Sequence, residues 1–349
     1  MSIYENKLYL EDVANVAGLR LPWEQLEGCS MVISGATGMI GSFLIDVLLE
    51  KGLDLTVYVL GRNEEKAKAR FGRWWEDPRF IFVKSDINQG ISLDVEKVDY
   101  VFHAASNTHP VAYATDPIGT ITTNIIGTDR LLRFAAEHGA RRVLFASSVE
   151  VYGENRGDTE YFHEDYCGYL NCNTLRAGYP ESKRAGEALC QAYICQMGLD
   201  VVIPRLARTY GPTMLMSDTK ALSQFLKKGI AGEDIVLKSE GTQLFSYTYV
   251  ADAVSGVLYC LLLGQCGESY NIADSASDIM LRDLAGIIAE AAGKQVVFDL
   301  PDATERAGYS TATKAVMTSD KIRSLGWQAQ YTIRAGLERT LRILKEDRQ

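Results

Sequence analysis

Tyr179 and Lys183 stand four residues apart at the start of a stretch, Pro180–Met197, that reads as a long helix. That spacing sets a phenol and an ammonium on one helix face, one turn apart. A cation so close favours the phenolate and lowers the tyrosine pKa. A phenol tuned in this way can take a proton from a sugar or alcohol hydroxyl as hydride leaves. Ser147-Ser148, at the end of the preceding strand, could give the substrate oxygen a second hydrogen bond.

Hydride chemistry needs an acceptor, and the sequence provides a place for one. The apolar strand Met31–Ser34 runs into Gly35-Ala-Thr37-Gly38-Met39-Ile40-Gly41 and then a helix. Glycines at this spacing permit a tight turn and let backbone approach a pyrophosphate, while the helix N-terminus offers free N–H donors. Gly35, Thr37, Gly38, Met39, Ile40 and Gly41 are therefore the candidate dinucleotide contacts. About twenty residues on, the second strand ends Leu60-Gly61-Arg62-Asn63, without the carboxylate that would hold the ribose of NAD. Arg62 can accommodate the 2′-phosphate of NADP, so both cofactors stay open.

The elements that carry these residues alternate. Strands are expected at Met31–Ser34, Leu55–Leu60, Phe80–Val83, Tyr100–His103, Arg142–Ala146 and Val201–Pro204, with helices at Gly41–Glu50, Ile118–His138 and Pro180–Met197. Near-continuous apolar strands between amphipathic helices imply a parallel sheet covered on both faces, a doubly wound α/β fold. Residues 1–28 read as an N-terminal helical extension and 29–212 as the cofactor domain. Residues 213–349 form mainly a smaller mixed α/β lobe, its boundary interleaved with the first. There helices near 219–230, 250–263 and 281–292 alternate with strands at 235–237 and 296–298. A cleft between the lobes suits a ligand. The net charge of −9 argues against nucleic acid and anionic membrane as partners. No segment spans a bilayer and the N-terminus is no signal peptide. Seven cysteines without metal-ligand spacing fit reduced thiols in a cytoplasmic protein with no metal.

Seven motifs in order carry a resemblance. They are the glycine loop, Ser-Asp86-Ile87, His103-Ala104-Ala105-Ser106, Asn124-x-x-Gly127-Thr128, Ser147-Ser148-x-Glu150-Val-Tyr-Gly153, Tyr179-x-x-x-Lys183 and Arg205-x-x-x-x-Tyr-Gly-Pro212. Over roughly residues 30–343 the chain resembles the extended short-chain dehydrogenase/reductases of the NAD-dependent nucleotide-sugar epimerase/dehydratase branch. The resemblance implies a Rossmann fold and tightly bound NAD. It places Asp86 and Ile87 at the adenine, and Ala104, Ala105, Ser106 and Asn124 among the cofactor contacts. It makes Ser148, Tyr179 and Lys183 the catalytic set, with Tyr179 the base. The implied chemistry moves hydride from sugar C4 to the cofactor, and the 4-keto sugar is then re-reduced, dehydrated or decarboxylated.

Within that branch, dehydratases carry an Asp-Glu pair where this chain has Val149-Glu150, which makes dehydration less favoured. Glu150 also resembles the decarboxylases of UDP-glucuronate, as does the segment around Arg205 and Arg208. Phe245, however, stands where the family usually has an arginine for the nucleotide diphosphate. Arg208, Lys238, Arg282 and Arg306 are candidate replacements. Epimerisation of a nucleotide sugar is the leading expectation, with decarboxylation, 4,6-dehydration or NADPH-dependent ketone reduction as alternatives. Thr108, His109, Ser148, Glu150, Arg208 and Phe245 are the candidate substrate residues, and Tyr161, Tyr166 and Tyr169 are expected at the pocket edge. His103 is expected to be a packed structural residue. The resemblance also implies a homodimer in which Ile118–His138 and Pro180–Met197 pair as a four-helix bundle.

Overall fold

A computed structural model describes residues 3–108, 113, 115–300 and 313–347. The chain opens with helix α1 (Lys7–Ala17) and then alternates β1 (Cys29–Ser34), α2 (Met39–Glu50), β2 (Leu55–Gly61), α3 (Glu64–Phe71) and β3 (Phe80–Lys84). It continues with β4 (Tyr100–His103), α4 (Pro117–Thr122), α5 (Thr128–Glu137), β5 (Arg142–Phe145), β6 (Ser147–Ser148), α6 (Gly178–Met197) and β7 (Val201–Leu206). The second half adds β8 (Arg208–Tyr210), α7 (Ala221–Ala231), β9 (Ile235–Leu237), β10 (Leu244–Tyr249), α8 (Val250–Leu263), β11 (Ser269–Ile272) and β12 (Asp278–Met280). It ends with α9 (Leu281–Ala292), β13 (Val296–Phe298), β14 (Lys314–Ala315), α10 (Asp320–Arg323) and α11 (Ile333–Asp347).

The main sheet runs β3-β2-β1-β4-β5-β7-β11, with every pairing along it parallel, and β6 joins it beside β7. Met31, Val32 and Ile33 are fully buried, because β1 is covered on both faces. This is why its sequence shows a run rather than an alternation. Strand order reverses between β1 and β4, so their carboxyl ends flank a crevice of the kind where α/β sheets bind ligands. A second sheet runs β12-β10-β14 with β8 against β10, and β9 pairs with β13. Residues 213–349 do not stay with these small sheets: α8 is buried on nearly all sides and β11 extends the main sheet. Among the described residues no helix is long and apolar enough to cross a membrane.

Two expectations change. The helix expected over 118–138 is interrupted by a π-helical turn, Thr123–Gly127, between α4 and α5. The wider turn directs Asn124 and Thr128 inward, both fully buried. The N-terminal helix is not an appendage but part of the core. The Tyr9 hydroxyl donates to Asp46, which also receives Arg70 at 2.8 Å and Trp74 at 2.7 Å. Asp12, fully buried, accepts from Tyr249 (2.5 Å) and Tyr331 (2.8 Å) and pairs with Arg339 (2.7 Å).

Candidate functional site

The glycine loop lies between β1 and α2. Gly35 has φ 72°, and a Cβ there would fall 2.5 Å from the carbonyl carbon of Ala104. The loop can therefore pass over the end of β4 only without a side chain. Gly38 caps α2 with no side-chain acceptor, which leaves the first N–H groups of the helix for a ligand. Thr37, Met39 and Ile40 are half-buried on this loop, while Gly41 is buried beneath it. Asp86 follows β3 and accepts the Asn88 N–H at 3.0 Å; Ile87 is buried beside it. Arg62 is exposed at the end of β2. Ala104, Ala105 and Ser106 are half-buried just past β4. A cradle clear of side chains, an uncapped helix and an acidic residue one strand away fit a dinucleotide.

Behind the crevice runs a chain of buried hydrogen bonds. His103 meets Ser34 at 2.7 Å through Nδ1 and Thr128 at 2.9 Å through Nε2, and Thr128 donates to the Asn124 carbonyl at 2.6 Å. Burial, and next the Lys183 charge, hold His103 down at about 3, so the ring is neutral and structural as expected. Asn124 is not presented to the crevice. It is fully enclosed and donates to Ser182 Oγ at 2.9 Å, which braces α6.

Helix α6 carries the reactive pair. A Cβ at Gly186 would fall 2.5 Å from the Phe145 ring, so this glycine lets α6 lie directly on β5. Lys183 is buried, donates to the Ala146 carbonyl at 2.8 Å and sits 4.8 Å above the Phe145 ring. Its ammonium is pulled down to about 8 by burial, with Cys190 and Glu187 acting against the fall. Neighbouring residues on β6 diverge, as strand geometry requires. The Ser147 hydroxyl turns inward to Glu187 at 2.5 Å, while Ser148 shares a hydrogen bond with the Tyr179 hydroxyl. The expected lowering of the tyrosine by Lys183 is not seen. Burial pushes Tyr179 well up, the Ser148 bond opposes this, and the Glu150 carboxylate raises it further. One N–H of Lys183 goes instead to the Ala146 carbonyl.

Glu150 is half-buried, two residues past Ser148, whose Oγ accepts the Glu150 N–H at 3.3 Å. Phe245 is buried on β10, and the Arg208 guanidinium lies 3.6 Å above its ring. Thr108 is exposed, and His109 and Arg306 lie outside the described residues. Tyr161, Tyr166 and Tyr169 do not meet the Tyr179 ring. Tyr166 packs on Phe162 and Tyr152, Tyr169 carries Arg156, and Tyr161 lies near Lys314. The tyrosine that does reach the site is Tyr113, its ring stacked 5.2 Å from that of Tyr179. Lys220, just before α7, is electrostatically coupled to Asp218, Glu150 and Arg208. Neither residue stands in a motif, and only the basic position ahead of an amphipathic helix hints at Lys220.

A family model described as "NAD dependent epimerase/dehydratase family" matches residues 31–273. UDP-glucuronic acid decarboxylase 5 of Arabidopsis thaliana is 31% identical over 322 residues, covering 91% of this chain and 88% of the relative. UDP-glucuronic acid decarboxylase 1 of Danio rerio is 30% identical over 91% of this chain and 73% of its own. Among solved structures, a dTDP-glucose 4,6-dehydratase from Streptomyces venezuelae with NAD bound superposes with a TM-score of 0.77 at 26% identity, covering 92% and 98% of the two chains. The crevice, the glycine cradle and these likenesses agree: the chain belongs to the NAD-dependent epimerase/dehydratase family, extended short-chain dehydrogenase/reductases that use NAD to modify nucleotide sugars.

Proposed function

We propose that this chain oxidises a nucleotide-linked uronic acid at C4, releases its C5 carboxylate as carbon dioxide and reduces C4 again. The observation that carries the reading is Glu150, half-buried two residues past Ser148 and close enough to perturb Tyr179. The curated decarboxylases similar to this chain support it. NAD, when bound across the glycine cradle, supplies the hydride acceptor and donor. Tyr179 Oη takes the proton of the C4 hydroxyl, and Ser148 Oγ holds that oxygen in line with it. Lys183, one turn along α6 from Tyr179, is the cation of the set. Once C4 is a ketone, loss of carbon dioxide leaves an enolate that spans C4 and C5. Glu150 relays to C5 a proton taken up from water, and Tyr179 returns its proton to the C4 oxygen as C4 is reduced, so the sugar leaves as a pentose.

Phe245 favours a second reading, epimerisation at C4, since a buried ring is a poor partner for the carboxylate of a uronate. Incubation with UDP-glucuronate and UDP-glucose in deuterated water separates the two. Carbon dioxide release with deuterium at C5 of a pentose product is the expected result. Inversion at C4 with all six sugar carbons retained overturns decarboxylation in favour of epimerisation. No turnover of any nucleotide sugar by NAD-loaded protein overturns both.

The exposed side chains of Ile118, Ile121 and Ile126, with Leu175 ahead of α6, support pairing of these helices with a second copy. Seven unpaired cysteines support a reducing, cytoplasmic setting.

A further inference from the structure

Two arginines three residues apart on adjoining strands are treated oppositely by the fold. Arg205 on β7 is saturated: it pairs with Glu187 at 2.7 Å and 3.0 Å, donates to Tyr152 Oη at 3.0 Å and to the Glu164 carbonyl at 2.6 Å. Arg208 on β8 lies flat on the Phe245 ring at 3.6 Å, and its Nη1, shielded from solvent, meets no hydrogen-bond partner among the described residues. A guanidinium N–H shut away without an acceptor is costly, and a guanidinium plane fixed on an aromatic ring presents a fork suited to oxyanions. The platform is built by register. Tyr247 pairs with Arg208 across β10 and β8, and Phe245, two residues earlier on β10, points to the same face. Lys220, ahead of α7, is already paired with Asp218 at 3.8 Å.

The structure assigns to Arg208, held flat by Phe245, the binding of the substrate's diphosphate. The assignment rests on the nucleotide-sugar reading. Phe245 stands where the resemblance expects the arginine for the diphosphate, and the Arg208 fork lies 3.6 Å above that ring. Phe245 is then not a lost contact but the support that makes Arg208 the donor.

The test is calorimetric titration of UDP and dTDP into NAD-loaded full-length protein. Arg208→Gln should weaken the nucleotide that binds by roughly 10- to 100-fold. Uridine or thymidine affinity, NAD content and melting temperature should not change. Phe245→Leu, which keeps the site apolar but removes the platform, should weaken the nucleotide less and raise KM without lowering kcat. The exchange Arg208→Gln with Phe245→Arg should restore most of the lost affinity, and failure to do so overturns the claim that both positions serve one anion. Should Arg208→Gln not fold, Arg208→Lys keeps the charge without the fork and should give an intermediate loss. Unchanged diphosphate binding in Arg208→Gln overturns the assignment. The same holds if the variant only raises KM for a uronate sugar, because the guanidinium then reads the carboxylate. Wild-type protein that binds neither diphosphate refutes the nucleotide-sugar reading beneath it, an outcome distinct from a variant that binds as well as wild type.

Discussion

Replacing Lys183 with methionine should abolish turnover while leaving the protein at least as stable at neutral pH. Burial brings the Lys183 ammonium down from 10.5 to about 8, partly countered by Cys190 and Glu187. A depressed lysine pKa means the folded state disfavours the charged form. The penalty is complete below about pH 8, where both states are protonated, and vanishes above 10.5, where both are neutral. At about 1.4 kcal/mol per pKa unit it amounts to ~3 kcal/mol. Against it stands the 2.8 Å bond to the Ala146 carbonyl, worth about 1 kcal/mol net. Lys183→Met should thus be more stable than wild type by about 2 kcal/mol near neutrality, the balance of these two terms. The advantage should shrink and reverse as pH rises toward 10.5. Urea unfolding of nucleotide-free protein, followed by circular dichroism at several pH values, measures the difference. Other titrating groups are common to both proteins and cancel. A gap that stays constant from neutral pH to 10.5 would refute the reasoning, because the ammonium would then not be penalised by burial.

Tyr179→Phe should keep fold and NAD content and lower kcat by about 10²- to 10⁴-fold, the usual worth of a positioned proton acceptor; steady-state kinetics with a nucleotide sugar checks it. Gly35→Ala forces a side chain into positive φ, costing roughly 1–2 kcal/mol, and against the Ala104 carbonyl carbon. Cofactor released on denaturation should fall to near zero in that variant, and normal NAD content would contradict the cradle.

The sheet was legible because burial on both faces writes itself as apolar runs, as at Met31–Ile33. The reactive pair was legible because a helix converts a spacing of four into a shared face. The site's outer wall was not. Arg205 and Arg208 look alike in sequence, and only Glu187, Tyr152 and Phe245, brought in by other parts of the chain, make one saturated and the other unsatisfied. Strand β10 hides for a related reason. Ser246 and Thr248 are buried in it, and Ser246 is satisfied by Asp278 at 2.5 Å, so a buried strand carries polar letters. Tyr113 follows no period, and its role comes wholly from the stack on Tyr179. The π turn escapes because one added residue leaves the hydrophobic pattern of Ile118–His138 almost unchanged.

The contacts of Asp12 with Tyr249, Tyr331 and Arg339 reach across 237 and 319 positions of chain for the two tyrosines. A chain made from its N-terminus exposes Asp12 long before those partners exist. The first helix therefore has to wait for α11 before its buried carboxylate is neutralised, and closing so long a loop is slow. Until then α1 leaves an apolar flank open, the kind of intermediate on which chaperones act.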